Sequence, residues 1–136
     1  MNRRILVVDD EPALRRTLER ALQGQGYEVS SVADPSSAYQ ILAESHFDLV
    51  LLDLRLPQIP GETLFLALVR RWPRLLGRII LMSGDIHAPE LGWPPELIHC
   101  PVLHKPFSLD VLARSVSQVL ALADSNADLL EGNGNP

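Results

Sequence analysis

The sequence predicts a doubly wound α/β domain, in which helices cover both faces of a parallel sheet. Short apolar segments of strand length alternate along the chain with longer segments whose apolar residues recur at helical spacing. This alternation favours parallel strands, because each helix carries the chain back across one face of the sheet. The predicted strands are residues 4–9, 27–32, 47–53, 78–83 and 101–104.

The first two helices carry recognisable start and stop signals. The apolar run at 4–9 is continuous, which is typical of a strand buried on both faces. Pro12 suits the first turn of the helix that follows, and Gly24 ends that helix. Asp34 is predicted to cap a second helix over residues 34–46, because its carboxylate can accept from a free N–H of the first turn.

The third and fifth helices are predicted to be regular, whereas the fourth is predicted to be interrupted. Residues 61–72 place their apolar side chains on one face, and Ser108 is predicted to cap the last helix. Residues 85–100 should hold the fourth helix, but three prolines and a glycine interrupt them, so we expect a short or distorted element. Residues 124–136 are polar and contain glycine, which predicts a flexible tail or the start of a linker after a domain at 1–123.

Composition restricts the class of protein. Hydrophobic residues make up 46% of the 136 residues, which is enough for one domain with its own core. The formal net charge of −5 argues against binding to nucleic acid or to an anionic membrane. A single cysteine and the lack of a long apolar segment are typical of a cytoplasmic protein, and that location is expected here.

Chemically active side chains follow four of the predicted strands. Asp9 and Asp10 end the first strand, Asp53 ends the third, Ser83 ends the fourth, and Lys105 follows the fifth. Parallel α/β sheets bind ligands beyond the carboxyl ends of their strands, so we expect these residues to converge at one edge. Carboxylates crowded together repel one another and require a cation, and Mg²⁺ is the hard divalent ion that fits oxygen ligands best.

The same set of residues suggests phosphoryl chemistry. Lys105, the only lysine of the sequence, offers a compact positive charge to a phosphoryl oxygen, and Ser83 offers a hydroxyl donor. Asp53 is the expected nucleophile, since aspartyl phosphates are established covalent intermediates. Each residue alone has a structural alternative: Asp10 with Glu11 could serve a helix N-terminus, and the others could lie in turns. Their joint placement favours the functional interpretation.

The chain resembles the receiver domain of bacterial two-component response regulators over roughly residues 3–122. The resemblance rests on the acid pair, the segment DLRLPQIPG that begins at Asp53, Ser83, and the Lys-Pro-Phe segment at 105–107. It implies a flavodoxin-like sheet of strand order 2-1-3-4-5 with five helices.

The resemblance also implies roles for individual residues. Asp9, Asp10, Asp53 and the backbone carbonyl of Arg55 would hold Mg²⁺. Asp53 would take a phosphoryl group from a histidine kinase or phosphotransfer protein, while Ser83 and Lys105 would respond to the phosphorylated state. The domain would then be a phospho-acceptor in signalling rather than an enzyme.

One position departs from the family pattern. Family members usually carry an aromatic residue three positions before the active-site lysine, and this sequence has Val102 there. Together with the prolines near 89–95, this departure leaves the output route open. We expect phosphorylation to draw Ser83 inward and shift the loop at 84–98.

Three other functions would use parts of the same sequence pattern. A pseudo-receiver would keep the fold as an interaction module without phosphorylation. An aspartyl phosphatase of the haloacid-dehalogenase type would need a second acid where Arg55 stands. A dinucleotide binder is disfavoured, because three acids follow the first strand in place of a glycine-rich loop. A downstream protein, an output domain beyond Pro136 and a homodimer all stay open.

Overall fold

The computed structural model describes residues 2–84 and 95–133. Five parallel strands form one sheet in the order β2-β1-β3-β4-β5, as the resemblance implied. The elements are β1 (Arg4–Val8), α1 (Pro12–Gly24), β2 (Glu28–Val32), α2 (Pro35–Glu44), β3 (Leu49–Asp53), α3 (Gly61–Arg71), a 3₁₀ turn (Pro73–Leu75), β4 (Ile79–Ser83), α4 (Pro95–Ile98), β5 (Val102–His104) and α5 (Leu109–Asn133).

The sheet separates two hydrophobic clusters. Alternate residues of β1 point to opposite faces: Leu6 and Val8 pack with α2, α3 and α4, whereas Ile5 and Val7 pack with α1 and α5. Strands β1, β3 and β4 are buried on both faces, which explains why their apolar runs are continuous. This arrangement confirms the predicted α/β fold.

The predicted caps are present. Asp34 accepts a hydrogen bond from the backbone N–H of Ser37 at 2.8 Å, and Ser108 accepts one from Val111 N–H at 3.1 Å. Helix α1 begins at Pro12 without a side-chain cap, so Glu11 does not serve its N-terminus in that way. Capping by the Glu11 side chain therefore does not explain why acids precede α1.

Helix α5 is longer than predicted. It continues to Asn133, whereas the predicted apolar stripe of this helix ends at Ala123, before the residues expected to form a tail or the start of a linker. Residues 124–131 contain no glycine or proline, so local propensity allows the helix to continue; the first glycine of this stretch is Gly132. Asp124 also forms ion pairs with Arg3 and Arg78, which fasten α5 to the amino-terminal edge of the sheet. The domain boundary near residue 123 remains a prediction.

Within the described residues, the fourth helix is the single turn Pro95–Ile98. Residues 85–94, which precede it and fall in the same predicted segment, lie outside the described residues. Over the described ranges, no helix combines the length and apolar character that crossing a membrane would require.

Candidate functional site

Three carboxylates meet at the carboxyl edge of the sheet. β1 and β3 are neighbours in register, with Val8 beside Leu52, so the residues that follow these two positions lie side by side. One carboxylate oxygen from each of Asp9, Asp10 and Asp53 lies within 4.8 Å of the others. Asp9 is fully buried, Asp53 is 3% exposed, and Asp10 lies at the surface. The predicted convergence of these acids is therefore present.

Asp9 is held by donors from several elements. Its Oδ1 accepts from the backbone N–H of Glu11 at 2.9 Å, and its Oδ2 accepts from Lys105 Nζ at 2.8 Å. Its own N–H donates to the carbonyl of Val32 at the end of β2. The guanidinium of Arg15, on α1, donates to the Asp9 carbonyl at 2.7 Å. Asp9 thus joins β2, α1 and the loop after β5.

Asp53 lies in a less favourable environment for a charge. Its Oδ1 accepts from Arg55 N–H at 3.0 Å, and its Oδ2 lies 3.4 Å from Lys105 Nζ. Burial raises the pKa of Asp53 and the charge of Asp9 adds to this effect, outweighing the Arg55 N–H and Lys105. A cation placed near Asp53 would therefore stabilise its ionised form.

Lys105 contacts two of the three carboxylates. Burial by itself lowers the pKa of Lys105, but the hydrogen bond to Asp9 and the charges of Asp53 and Asp9 raise it above the ordinary value. The ammonium group therefore stays charged. One ammonium group does not neutralise three carboxylates, so negative charge remains among Asp9, Asp10 and Asp53 that a second cation could neutralise.

Ser83 and Arg55 complete the predicted set. Ser83 is buried at the end of β4, and its carbonyl accepts from Lys105 N–H at 2.7 Å, so both residues lie at the same edge. Arg55 follows Asp53 in a turn closed by the hydrogen bond from its N–H. The structure thus brings every predicted site residue to the carboxyl edge of the sheet. The coordination assigned to the Arg55 carbonyl remains a prediction.

The donor set fits a hard divalent cation. Three carboxylates supply only oxygen ligands, and their exposed side is open through Asp10, which suits an ion such as Mg²⁺ that keeps several waters. Over residues 2–84 and 95–133, this is the one group of acidic, histidine or cysteine side chains close enough to hold a metal.

Two features of the site were not predicted from the sequence. One is the contact from Arg15 to the Asp9 carbonyl. The other is a cavity of about 460 Å³ between the start of α1 and the loop after β5, lined by Glu11, Ala13, Leu14, Thr17, Lys105, Pro106 and Phe107. Arg15 lies on the polar side of α1, and the pattern of the sequence alone does not indicate which polar residue turns toward the site.

The fold and this pocket together define a flavodoxin-like α/β domain with an acidic site at the carboxyl edge of its sheet. The family model of the response regulator receiver domain matches residues 5–117, and the chain belongs to this family. This match confirms the resemblance drawn from the acid pair, Asp53, Ser83 and Lys105.

Individual relatives agree with the family assignment. The chain is 35% identical over 132 residues to the probable transcriptional regulator ycf27 of Porphyridium aerugineum, covering 93% of this chain and 52% of that protein. It is 32% identical over 124 residues to the response regulator receiver protein CpdR of Brucella abortus, covering 89% of this chain and 99% of CpdR. The chain thus spans about half the length of the ycf27 protein.

A solved structure supports the same fold. The response regulator TrrA of Thermotoga maritima, crystallised in complex with Mg²⁺-BeF, superposes with a TM-score of 0.75 at 29% identity. The alignment covers 86% of this chain and 98% of TrrA.

Proposed function

We propose that this receiver domain accepts a phosphoryl group on Asp53 from the phosphohistidine of a sensor histidine kinase or a phosphotransfer protein. The observation that carries the proposal is the position of the Asp53 carboxylate, which is buried beside Lys105 and faces the acid pair. A site of this kind holds a nucleophile and a counter-charge at one edge of the sheet. The family assignment supports the same conclusion.

The transfer follows from the contacts of Asp53. Oδ1 is held by Arg55 N–H, so Oδ2, which faces Lys105, is the oxygen suited to attack phosphorus. The new O–P bond forms as the P–N bond of the donor breaks, and the electron pair returns to the imidazole. The Lys105 ammonium then pairs with a phosphoryl oxygen, moving away from the carboxylate oxygen that has been esterified.

Magnesium is the proposed cofactor. Asp9, Asp10, Asp53 and the Arg55 carbonyl would hold it, and the complex of TrrA with Mg²⁺-BeF supports this assignment. When bound, the ion supplies positive charge to the phosphoryl oxygens as negative charge develops on them.

Ser83 is the proposed switch residue. Its position at the end of β4, joined to Lys105 through the backbone, allows its hydroxyl to donate to a phosphoryl oxygen carried by Asp53. Val102 is half-buried against the cluster on the α3–α4 side of the sheet, in place of an aromatic side chain. We expect the change to pass through residues that follow Ser83, part of which lie outside the described residues.

Two alternatives predict different behaviour. A pseudo-receiver would take no phosphoryl group. Such a domain would not require a lysine beside the acids, so the contacts of Lys105 with Asp9 and Asp53 favour phosphorylation. A phosphatase would turn over repeatedly, but Arg55 stands where an assisting acid would be required. We therefore expect one phosphorylation event per domain, followed by slow hydrolysis.

The test is labelling by acetyl phosphate in the presence of MgCl₂, measured as the mass of the intact protein. Wild type should gain one phosphoryl group, and Asp53→Asn should gain none because the amide is not a nucleophile. Asp110→Asn, an exposed acid at the start of α5, is the matched control and should label like wild type. Label that persists in Asp53→Asn would show that another residue is the acceptor.

The same preparations distinguish the alternatives. A wild-type protein that takes no label from acetyl phosphate or from a phosphorylated kinase would support the pseudo-receiver. Repeated hydrolysis of p-nitrophenyl phosphate that is lost in Asp53→Asn would support the phosphatase.

A further inference from the structure

Arg15 makes a contact that the proposed chemistry does not use. It lies in the first turns of α1, and its guanidinium donates to the backbone carbonyl of Asp9 at 2.7 Å. Helical side chains lean toward the N-terminus of their helix, which brings this one to the turn that joins β1 to α1. The carbonyl of Asp9 precedes the helix, so it is not an acceptor of the helical ladder.

The contacted carbonyl belongs to the peptide group between Asp9 and Asp10. A peptide group is planar, so fixing its oxygen also fixes the direction in which Asp10 leaves the turn. The Asp9 side chain has its own donors in Glu11 and Lys105. The Asp10 side chain has no hydrogen bond or ion pair with any residue in the described ranges, and it is exposed, so its position depends on its backbone.

We propose that Arg15 is a positioning residue that orients the Asp9–Asp10 peptide and thereby keeps the Asp10 carboxylate beside Asp9 and Asp53. This inference rests on the proposed Mg²⁺ site. The hydrogen bond of Arg15 goes to the Asp9 carbonyl, so its proposed effect on Asp10 is carried by the backbone. A charge-assisted hydrogen bond to a carbonyl is strong enough to select one orientation of an exposed turn.

A positioning role and a purely electrostatic role predict opposite effects on the metal. Arg15 adds a positive charge close to three carboxylates. If charge were its only influence, its removal would increase the affinity of the pocket for a cation. If it orients Asp10, its removal decreases the affinity, because one ligand is no longer held in place.

The test is calorimetric titration of the phosphate-free protein with MgCl₂ alone. Arg15→Met keeps the apolar stem and removes the donors, and we expect its Mg²⁺ affinity to fall about tenfold, the lower end for residues that orient ligands. Arg16→Met removes the same charge from the next position of α1, where the side chain is exposed, and is the matched control. Its affinity should be unchanged or slightly increased.

Arg15→Lys restores a charged donor and should recover most of the lost affinity. If Arg15→Met does not fold by circular dichroism, Arg15→Gln, whose shorter amide does not reach the carbonyl, is titrated in its place with the same expectation. Equal affinities for the Arg15 and Arg16 variants, or a tighter Arg15→Met, would overturn the inference. A wild type that does not bind Mg²⁺ would instead contradict the proposed function, so the two failures are distinguishable.

Discussion

The ammonium group of Lys105 lies 2.8 Å from Oδ2 of Asp9, closer than the 3.4 Å that separates it from Oδ2 of Asp53. Asp9 is fully buried, and its carboxylate oxygens accept hydrogen bonds from this partner and from the N–H of Glu11. Lys105 thus stabilises the buried Asp9 carboxylate in the unphosphorylated domain. Asp53 is left with the weaker contact, and its pKa is raised.

Replacing Lys105 with Met should destabilise the domain. The change leaves the buried Asp9 carboxylate without its counter-charge, which costs about 2 kcal/mol of the free energy of unfolding. Urea unfolding without Mg²⁺ measures the loss. Added MgCl₂ should recover part of it, because the divalent ion supplies the missing positive charge. Equal stability of wild type and variant would show that the pair contributes nothing.

Replacing Asp53 with Asn should stabilise the metal-free domain at neutral pH. Burial raises the pKa of Asp53, so its ionisation opposes folding; the favourable protonated form is lost as the pH rises through that raised pKa. The gain in Tm over wild type should therefore be largest at neutral pH and shrink in acid. Thermal unfolding of both proteins from acid to neutral pH measures this difference in Tm. A difference that grows in acid would contradict the raised pKa of Asp53.

Replacing Asp48 with Asn should have the opposite dependence on pH. Burial alone would raise the pKa of Asp48, but the N–H of Arg4 and the charges of Arg3 and His46 lower it below the ordinary value. The stability that this carboxylate contributes is present above its unfolded pKa and is lost as the pH falls through the folded pKa. Asp48→Asn should therefore lower Tm at neutral pH and match wild type in acid, in the same series of melts.

Replacing Gly61 with Ala should destabilise the domain by about 1–3 kcal/mol. An added Cβ would lie 2.5 Å from Leu54 Cα and 2.7 Å from Leu54 O, and these are backbone atoms that do not move without shifting the turn after β3. Gly24→Ala, at the end of α1, is the matched control, because a Cβ there meets nothing within 4 Å. Chemical unfolding should find the control neutral or stabilised. A neutral Gly61→Ala would disprove the close approach.

Cys100 should react slowly in the folded protein. Burial raises the pKa of its thiol to about 12, and its Sγ donates to the carbonyl of Ile79 at 3.0 Å. Alkylation by iodoacetamide near neutral pH should be slow before unfolding and complete after it. Equal rates in the two states would contradict this environment.

The periods of the sequence were sufficient to predict the fold class. Continuous apolar runs at β1, β3 and β4 require burial on both faces, and the helices between them require a parallel sheet, whatever the details of packing. The site followed from the same rule, because strand ends meet at one edge. The strand order came from the family resemblance rather than from the pattern.

The sequence pattern did not predict how far α5 extends. Local propensity allows a helix through residues 124–131, but polar composition alone does not distinguish a helix from a tail. The ion pairs of Asp124 with Arg3 and Arg78 join residues far apart in the sequence. Such contacts depend on three-dimensional proximity, which periodicity does not encode.

By itself the sequence determined the alternation of strands and helices, and hence that Asp9, Asp10, Asp53, Ser83 and Lys105 would gather at one edge. Only the tertiary structure decided how they share charge: that Lys105 pairs more closely with Asp9 than with Asp53, and that Arg15 rather than its neighbour Arg16 reaches the Asp9 carbonyl. Backbone periodicity fixes which edge a residue occupies. Differences of less than an ångström between rival partners arise from side-chain packing, which acts only once the chain has folded.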